Sequence, residues 1–440
     1  MENKDDNIKT HLAESEKETE QKTSDPYYSK KKLIFCCFAF IGLINNLGYV
    51  LIITSAQQFA EKVDSKSLIA FYPLSLIIFN SISRFLNSKY CIKISYFKRV
   101  LGLSIYFCFG YVFLFTVLTI IENTKDFNKI LAFVLTLIPS VIMGTGQSFG
   151  EATFLGYIRT FPEDYVSGWS SGTGFAGIFG ASLSLTFKII NESFDLKNLY
   201  LIISPITIIF FFVFYATFRI KNKIDAKIVE EKEENKELPD RPTDLLAEDN
   251  NNNVACDVSK NKELSVENFP IVLKCGKRYI INLMLVYFLE YTICSGLCER
   301  ANHFNRVDSS GYFFDKAQYE TFLLCYQIGV VISRSSLFIF KYLKFVELLN
   351  IFQFINFTFW FLEAQFGLIS NQWLCFFTLT FLGLCGGGVY VGCFYFILND
   401  KKIPPEFKEL CLNISTIFVD VGVLLSSLAC IILDNTIMND

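Results

Sequence analysis

Histidine is almost missing, with His11 and His303 the whole supply in 440 residues. That scarcity removes the ligands a zinc or iron site would draw on, since Cys294 and Cys298 stand four apart without histidine partners. There is no phosphate-cradling glycine loop with its lysine and no nucleophile elbow. No basic face suited to nucleic acid appears, and the net charge of −3 arises from residues gathered in tails and loops. The expectation is a chain with no metal, no cofactor, no nucleic-acid partner and no enzymatic activity.

Charge is also absent from long stretches, and that absence sets the class. Hydrophobic residues make up 52% of the chain, 48 of them phenylalanine, and the mean hydropathy is +0.37. Such usage is too apolar for a soluble protein and implies an all-α polytopic membrane protein. Fourteen cysteines would suggest disulfides in a small secreted domain. Here Cys36, Cys37, Cys108, Cys325, Cys385, Cys393 and Cys430 lie in apolar runs and read as buried free thiols.

Residues 1–32 are polar and mixed in charge, a disordered cytosolic tail without a cleavable signal. The run Leu33 to Ser55 is long enough to span a bilayer and act as a signal anchor. Further spans are expected near 67–86, 100–121, 130–156, 169–190 and 198–218. A hydrophilic segment, 219–278, reads as a flexible cytosolic linker, and five more spans follow near 279–298, 318–338, 345–362, 374–398 and 409–433. The result is a six-helix half over 33–218 and a five-helix half over 279–440. With the N-terminus in the cytosol, clusters such as Lys30 to Lys32, Arg84 to Arg99 and Lys274 to Arg278 fall on cytosolic flanks. Those flanks hold roughly twice the basic residues of the opposite loops, as the positive-inside rule asks. Asn191, in the sequon Asn191-Glu192-Ser193, then falls on the luminal side as a glycosylation candidate. His303 would also face the lumen, as an acid sensor or an ordinary loop residue.

The stretch 144–184 organises the chain. One apolar helix ends there, a short polar turn follows through Arg159 to Gly168, and a second helix is dense in Gly, Ser and Thr. A plain anchor needs neither an intramembrane Glu151 nor glycines that admit a close neighbour. GEATFL (150–155) and WSSGTGFAG (169–177) resemble the battenin family, the Batten-disease proteins of lysosomal and vacuolar membranes. NNLGYV (45–50), VYFLEY (286–291), YQIGVVISRSSL (326–337) and GLCGGGVYV (383–391) extend the resemblance through both halves. The resemblance implies an eleven-helix relative of the major facilitator superfamily, although the loop from Arg84 to Arg99 lacks that superfamily's Gly and Asp pattern. It also implies export of small solutes from the organelle, glycerophosphodiesters or basic amino acids, with ties to organelle pH, autophagy and vesicle traffic.

Counting residues from span edges places Asn45, Asn46, Glu290, Gln327 and Asp420 near mid-membrane. Glu290 should face the bundle interior and either exchange a proton or pair with a cation; the alternative is a bond between helices. Glu151, level with Ser170, Ser171 and Thr173, would form an inner gate or cavity wall, or pack two helices together. Arg334 carries a planar fork suited to phosphate or carboxylate, or anchors its helix at the interface. Gly386, Gly387 and Gly388 allow a bend, a close approach to substrate, or tight packing. The first, fourth, seventh and tenth spans, which line the cavity of a facilitator-type bundle, thus all carry candidates.

The expected function is a secondary transporter of small solutes working by alternating access in a lysosomal or vacuolar membrane. A contractile vacuole or other endosomal membrane suits a free-living cell equally. Its partners are the lipid bilayer, the solute, protons, and sorting adaptors on the linker, where Leu245 and Leu246 follow Asp240 and Asp244. The alternative is a non-transporting scaffold for vesicle trafficking and autophagy.

Overall fold

The structure, a computed structural model, describes residues 27–63, 71–124, 128–161, 165–189, 196–237, 262, 264–301, 318–336, 346–369 and 371–436. Among them every regular element is helical, and the helices form eleven rods. The first half contains α1 (Lys31–Lys62), α2 (Phe71–Ile77 and Asn80–Lys89), α3 (Tyr96–Asn123), α4 (Lys129–Ile158), α5 (Tyr165–Ile189) and α6 (Leu196–Ile203 and Ile206–Glu237). The second contains α7 (Asn268–Thr292, running through a π turn into Cys298–Ala301), α8 (Gln318–Ser335), α9 (Val346–Phe366), α10 (Gln372–Asn399) and α11 (Lys408–Thr436).

Local chemistry explains the boundaries. Asn128 caps α4 by accepting from the amides of Ile130 and Leu131 at 3.0 and 3.1 Å, and Asn371 caps α10 from Trp373 at 2.8 Å. Pro205 cannot continue a helix begun before it, so α6 is broken there. Two sequence expectations change. The second span is two helices meeting at Ile78 and Phe79, and the linker 219–278 is helical up to Glu237 and again from Asn268. The N-terminal tail before Tyr27, Asn191, His303 and the Leu245-Leu246 pair lie outside the described residues.

Seven rods, α1, α3, α4, α6, α7, α10 and α11, are long and apolar enough to cross a membrane by length and composition. Of the other four, α2, α5 and α8 are seam helices: α5 packs on α8, and α2 on α11, where the two halves meet. Their polar residues face protein, which lowers their average apolarity without exposing polarity to lipid. Large apolar residues such as Ile105, Phe109, Phe212 and Phe377 point outward, as a lipid-facing surface requires.

Glycine permits the closest crossings. Gly42 lies beneath the Trp169 carbonyl and Gly172 beneath that of Ala39, joining α1 to α5; Gly329 and Gly383 face each other's backbones between α8 and α10. Thirteen cysteines among the described residues stand outside any disulfide. Cys385, Cys393 and Cys430 are buried as expected, whereas Cys36 is exposed and Cys37, Cys108 and Cys325 are half-buried.

The end of the bundle carrying the start of α1 is the basic end. There Arg159, after α4, donates to the Pro405 carbonyl at 3.2 Å and approaches Glu409 of α11 at 3.5 Å, clasping the halves together. Tyr27 donates to Asp225 on the extended part of α6 at 2.7 Å. Replacing Gly383 by Val should force α10 off the Tyr326 carbonyl, an overpacking cost of about 1–3 kcal/mol. The expected outcome is less monodisperse protein in size-exclusion chromatography and a lower melting temperature in detergent.

Candidate functional site

Two adjoining cavities run through the middle of the bundle, holding about 90 and 80 Å³. Asn46, Tyr49, Tyr291, Tyr326 and Arg334 line both. The larger reaches Ile53 and Thr54 on α1 and Tyr319 on α8, away from the basic end. The smaller reaches Asn80, Arg84, Gln147, Glu151, Tyr390 and Asp420. The Tyr49 and Tyr291 hydroxyls meet at 3.1 Å and bridge α1 to α7.

Arg84 is the most constrained side chain in the smaller cavity, with 1% of its surface exposed. Its Nε donates to Asp420 Oδ2 at 2.7 Å and its Nη2 to Glu151 Oε2 at 2.8 Å. Nη1 reaches the Ser148 carbonyl at 3.3 Å. A guanidinium so placed is tolerable only because both carboxylates and a carbonyl replace its water. Glu151 has two further donors, the Tyr390 hydroxyl at 2.6 Å and Gln147 Nε2 at 3.4 Å. Gln147 Nε2 also donates to Asn46 Oδ1 at 3.1 Å.

Arg334 is held differently. Nη1 donates to Thr173 Oγ1 at 2.8 Å, Nη2 donates to the Tyr287 hydroxyl at 3.1 Å, and the guanidinium lies 4.1 Å from the centre of the Tyr390 ring. All three partners are neutral. Its buried Nε has no hydrogen-bond partner among the described residues. Arg334 therefore lines both cavities with a positive charge whose hydrogen-bond partners are neutral.

The other sequence candidates divide between the cavity walls and the packing behind them. Asn46, Gln327, Glu151, Asp420 and Thr173 converge on the cavities. Asn45 does not: it is fully buried behind the wall, donating to the Gln147 carbonyl at 3.1 Å with Gly150 against its other end. Ser170 and Ser171 are buried in α5 and line neither cavity; Tyr390, Arg334 and Thr173 connect Glu151 to α5. Glu290, 2% exposed, sits behind Tyr326, whose hydroxyl donates to it, and over Gly386, where a Cβ would collide with the carboxylate. Gly387 leaves room for Ser333 Oγ, and α10 stays helical through Gly386, Gly387 and Gly388. Gly146-Gln147-Ser148-Phe149-Gly150 has the spacing of a nucleophile elbow but lies within a helix, its serine bonded to the Thr145 carbonyl at 3.1 Å.

Sequence reasoning missed Arg84, which it counted among the cytosolic flanks, and the five tyrosines. A signal existed for each. The triplet Ile82-Ser83-Arg84 recurs as Ile332-Ser333-Arg334, on the second helix of each half. Arg84 finds its acids on α4 and α11, and two of the three neutral partners of Arg334 lie on the equivalent α10 and α5, with Tyr287 on α7 the third. Tyr49, Tyr287, Tyr291, Tyr326 and Tyr390 all fall within the short runs that mark the family resemblance.

Comparison with known proteins agrees with this architecture. The sequence profile of the family described as CLN3 protein matches residues 36–439. Among relatives, battenin of Dictyostelium discoideum is 28% identical over 418 residues, covering 91% of this chain and 94% of that one. Protein BTN1 of Saccharomyces cerevisiae is 26% identical, covering 91% and 93%. Among solved structures, a major facilitator proton:xylose symporter superposes with a TM-score of 0.60 at 14% identity, covering 91% of this chain and 88% of that one. A bacterial homologue of the iron transporter ferroportin, in an outward-facing state, gives 0.57 at 14% identity, covering 91% and 92%. Both show a shared major facilitator fold.

Removing Arg84 should leave Glu151 and Asp420 buried without their cation, a loss of about 3–5 kcal/mol. Arg84→Gln should thus melt well below the unaltered protein in detergent, and adding Asp420→Asn should recover part of the difference.

Proposed function

This chain belongs to the CLN3 protein family, and from that premise we propose that it is a secondary transporter exporting small anionic solutes, glycerophosphodiesters foremost, from an acidic organelle by alternating access. The observation that carries this reading is Arg334: a buried guanidinium whose hydrogen-bond partners are neutral, on the wall of two joined cavities. A phosphodiester presents one negative charge and two oxygens to such a fork. Its glycerol hydroxyls would meet Asn46, Gln327 and the tyrosines, which can donate or accept. A basic amino acid is the weaker candidate, because its side chain would enter beside an uncompensated positive charge.

Glu290 is the group to which we assign proton exchange. Glu290 has one hydrogen-bond donor, Tyr326, which also lines both cavities and so stands between the carboxyl group and water. The basic end is the cytosolic end in this reading, with the N-terminus on that side, in a lysosomal or vacuolar membrane. Sorting adaptors would find the linker there.

The test is efflux from liposomes holding purified protein, loaded with a labelled glycerophosphodiester or with labelled lysine. Glycerophosphodiester efflux above that of protein-free vesicles is expected, and failure of both solutes to leave would overturn the proposal. Arg334→Lys keeps the charge but loses the fork, and should slow efflux by about tenfold or more, the equivalent of a charge-assisted bond of roughly 1.5–3 kcal/mol. Glu290→Gln should flatten the dependence of efflux on pH; an unaltered profile would remove Glu290 from proton exchange.

A further inference from the structure

The two arginines are unequal in a way that packing alone does not require. Arg84 holds two carboxylates and Arg334 holds none. The Arg84 pair with Glu151 stays within the first half, joining α2 to α4. Its pair with Asp420 crosses the seam from α2 to α11. The two acids also differ in support. Glu151 would keep Tyr390 and Gln147 if Arg84 moved away. Asp420 depends on Arg84, through contacts at 2.7 and 3.4 Å, with Asn80 beside it.

The smaller cavity touches Asp420 directly, so water and protons can reach the carboxyl group. Facing it are Arg84 and Asn80 from α2, Glu151 from α4, Tyr49 from α1, Tyr291 from α7 and Tyr390 from α10, with Arg334 of α8 on the same cavity wall. Glu290 lies behind Tyr326. Arg84 is five residues from Lys89, the last of its helix, which places the link on the basic side of the cavity. Opening the bundle at that end requires α2 and α11 to part.

We infer that Asp420 is a proton-binding latch: ionised, it ties the halves together through Arg84, and a proton on it releases α11 while Arg84 remains with Glu151. This rests on the alternating-access reading above. The direction follows from the pair itself. Parted from Arg84 but still seated among Val419, Val423 and Tyr291, Asp420 would keep its burial without a cation, so the parted state binds a proton more readily than the clasped one and gains population at the basic end as pH falls. Glu290 and Arg334 then serve the solute, and Asp420 serves the gate.

Hydrogen–deuterium exchange on the full chain in lipid nanodiscs, without solute, tests this. Segments 152–161 and 405–415 carry the clasp around Arg159 and Glu409. After correction for intrinsic rates, their exchange should rise several-fold between neutral and mildly acidic solution. Asp420→Asn should show the fast exchange at both pH values, and Glu290→Gln, away from the clasp, should retain the step. Arg84→Lys, which keeps a weaker pair, should move the step to higher pH and serves if Asp420→Asn fails to fold. A step that survives in Asp420→Asn, or is lost in Glu290→Gln alone, overturns the latch, as does no step in the unaltered protein. Liposome efflux run alongside separates the two ideas, since efflux without the step defeats only the latch, and the step without efflux defeats only the transporter.

Discussion

Two guanidinium groups lie where water is scarce, and much of the interior is arranged to make that tolerable. Arg84 is neutralised by Glu151 and Asp420, which arrive from different rods and, for Asp420, from a different half. Arg334 is met by the face of Tyr390 and the hydroxyls of Thr173 and Tyr287, which solvate a cation without cancelling it. Tyr390 belongs to both arrangements, ring beneath one arginine and hydroxyl on the acid of the other. A chain of contacts from Thr173 to Asp420 thus crosses the seam between halves three times. Each link holds its neighbours in place, because any partner that left would strand a buried polar group.

That arrangement needs rods close enough for short side chains to meet, and glycine supplies the approach. Gly172 under Ala39 and Gly42 under Trp169 bring α1 and α5 together, so Asn46 and Thr173 can face a common space. Gly383 and Gly329 do the same for α10 and α8. Gly386 then leaves a recess that Glu290 fills. The seam is the opposite case: α5 against α8 and α2 against α11 meet through polar and small residues, a contact that can be remade in a second geometry at modest cost.

The fold was readable because a bilayer imposes one strong rule, that apolar runs of sufficient length become helices. All eleven runs became rods, although α6 continues to Glu237, well past the expected 218, and α7 begins at Asn268, well before the expected 279. Tertiary partners are a different matter. Arg84 lay two residues from the end of an apolar run and read as a flanking charge; only the extension of α2 to Lys89, and acids brought from α4 and α11, made it an interior residue. Adjacent Asn45 and Asn46 share a depth, and sequence cannot say which one turns to a cavity and which to Gln147. Glu290 was legible as an interior acid, but not as one shielded by Tyr326. The tyrosines looked like ordinary apolar bulk because their rings are, and their hydroxyls acquire meaning only when several converge.

One element extends past the layer the others occupy. The second piece of α6, Ile206–Glu237, would measure about 48 Å, well beyond the roughly 30 Å of a hydrocarbon core. Its far portion is therefore a rigid mast in the aqueous phase, stayed near its foot by the bond from Tyr27 to Asp225. Anything that took hold of the mast would pull on α6 and, through Tyr27, on the start of α1. Force applied outside the membrane would then be delivered to a rod that bears Asn46 and Tyr49.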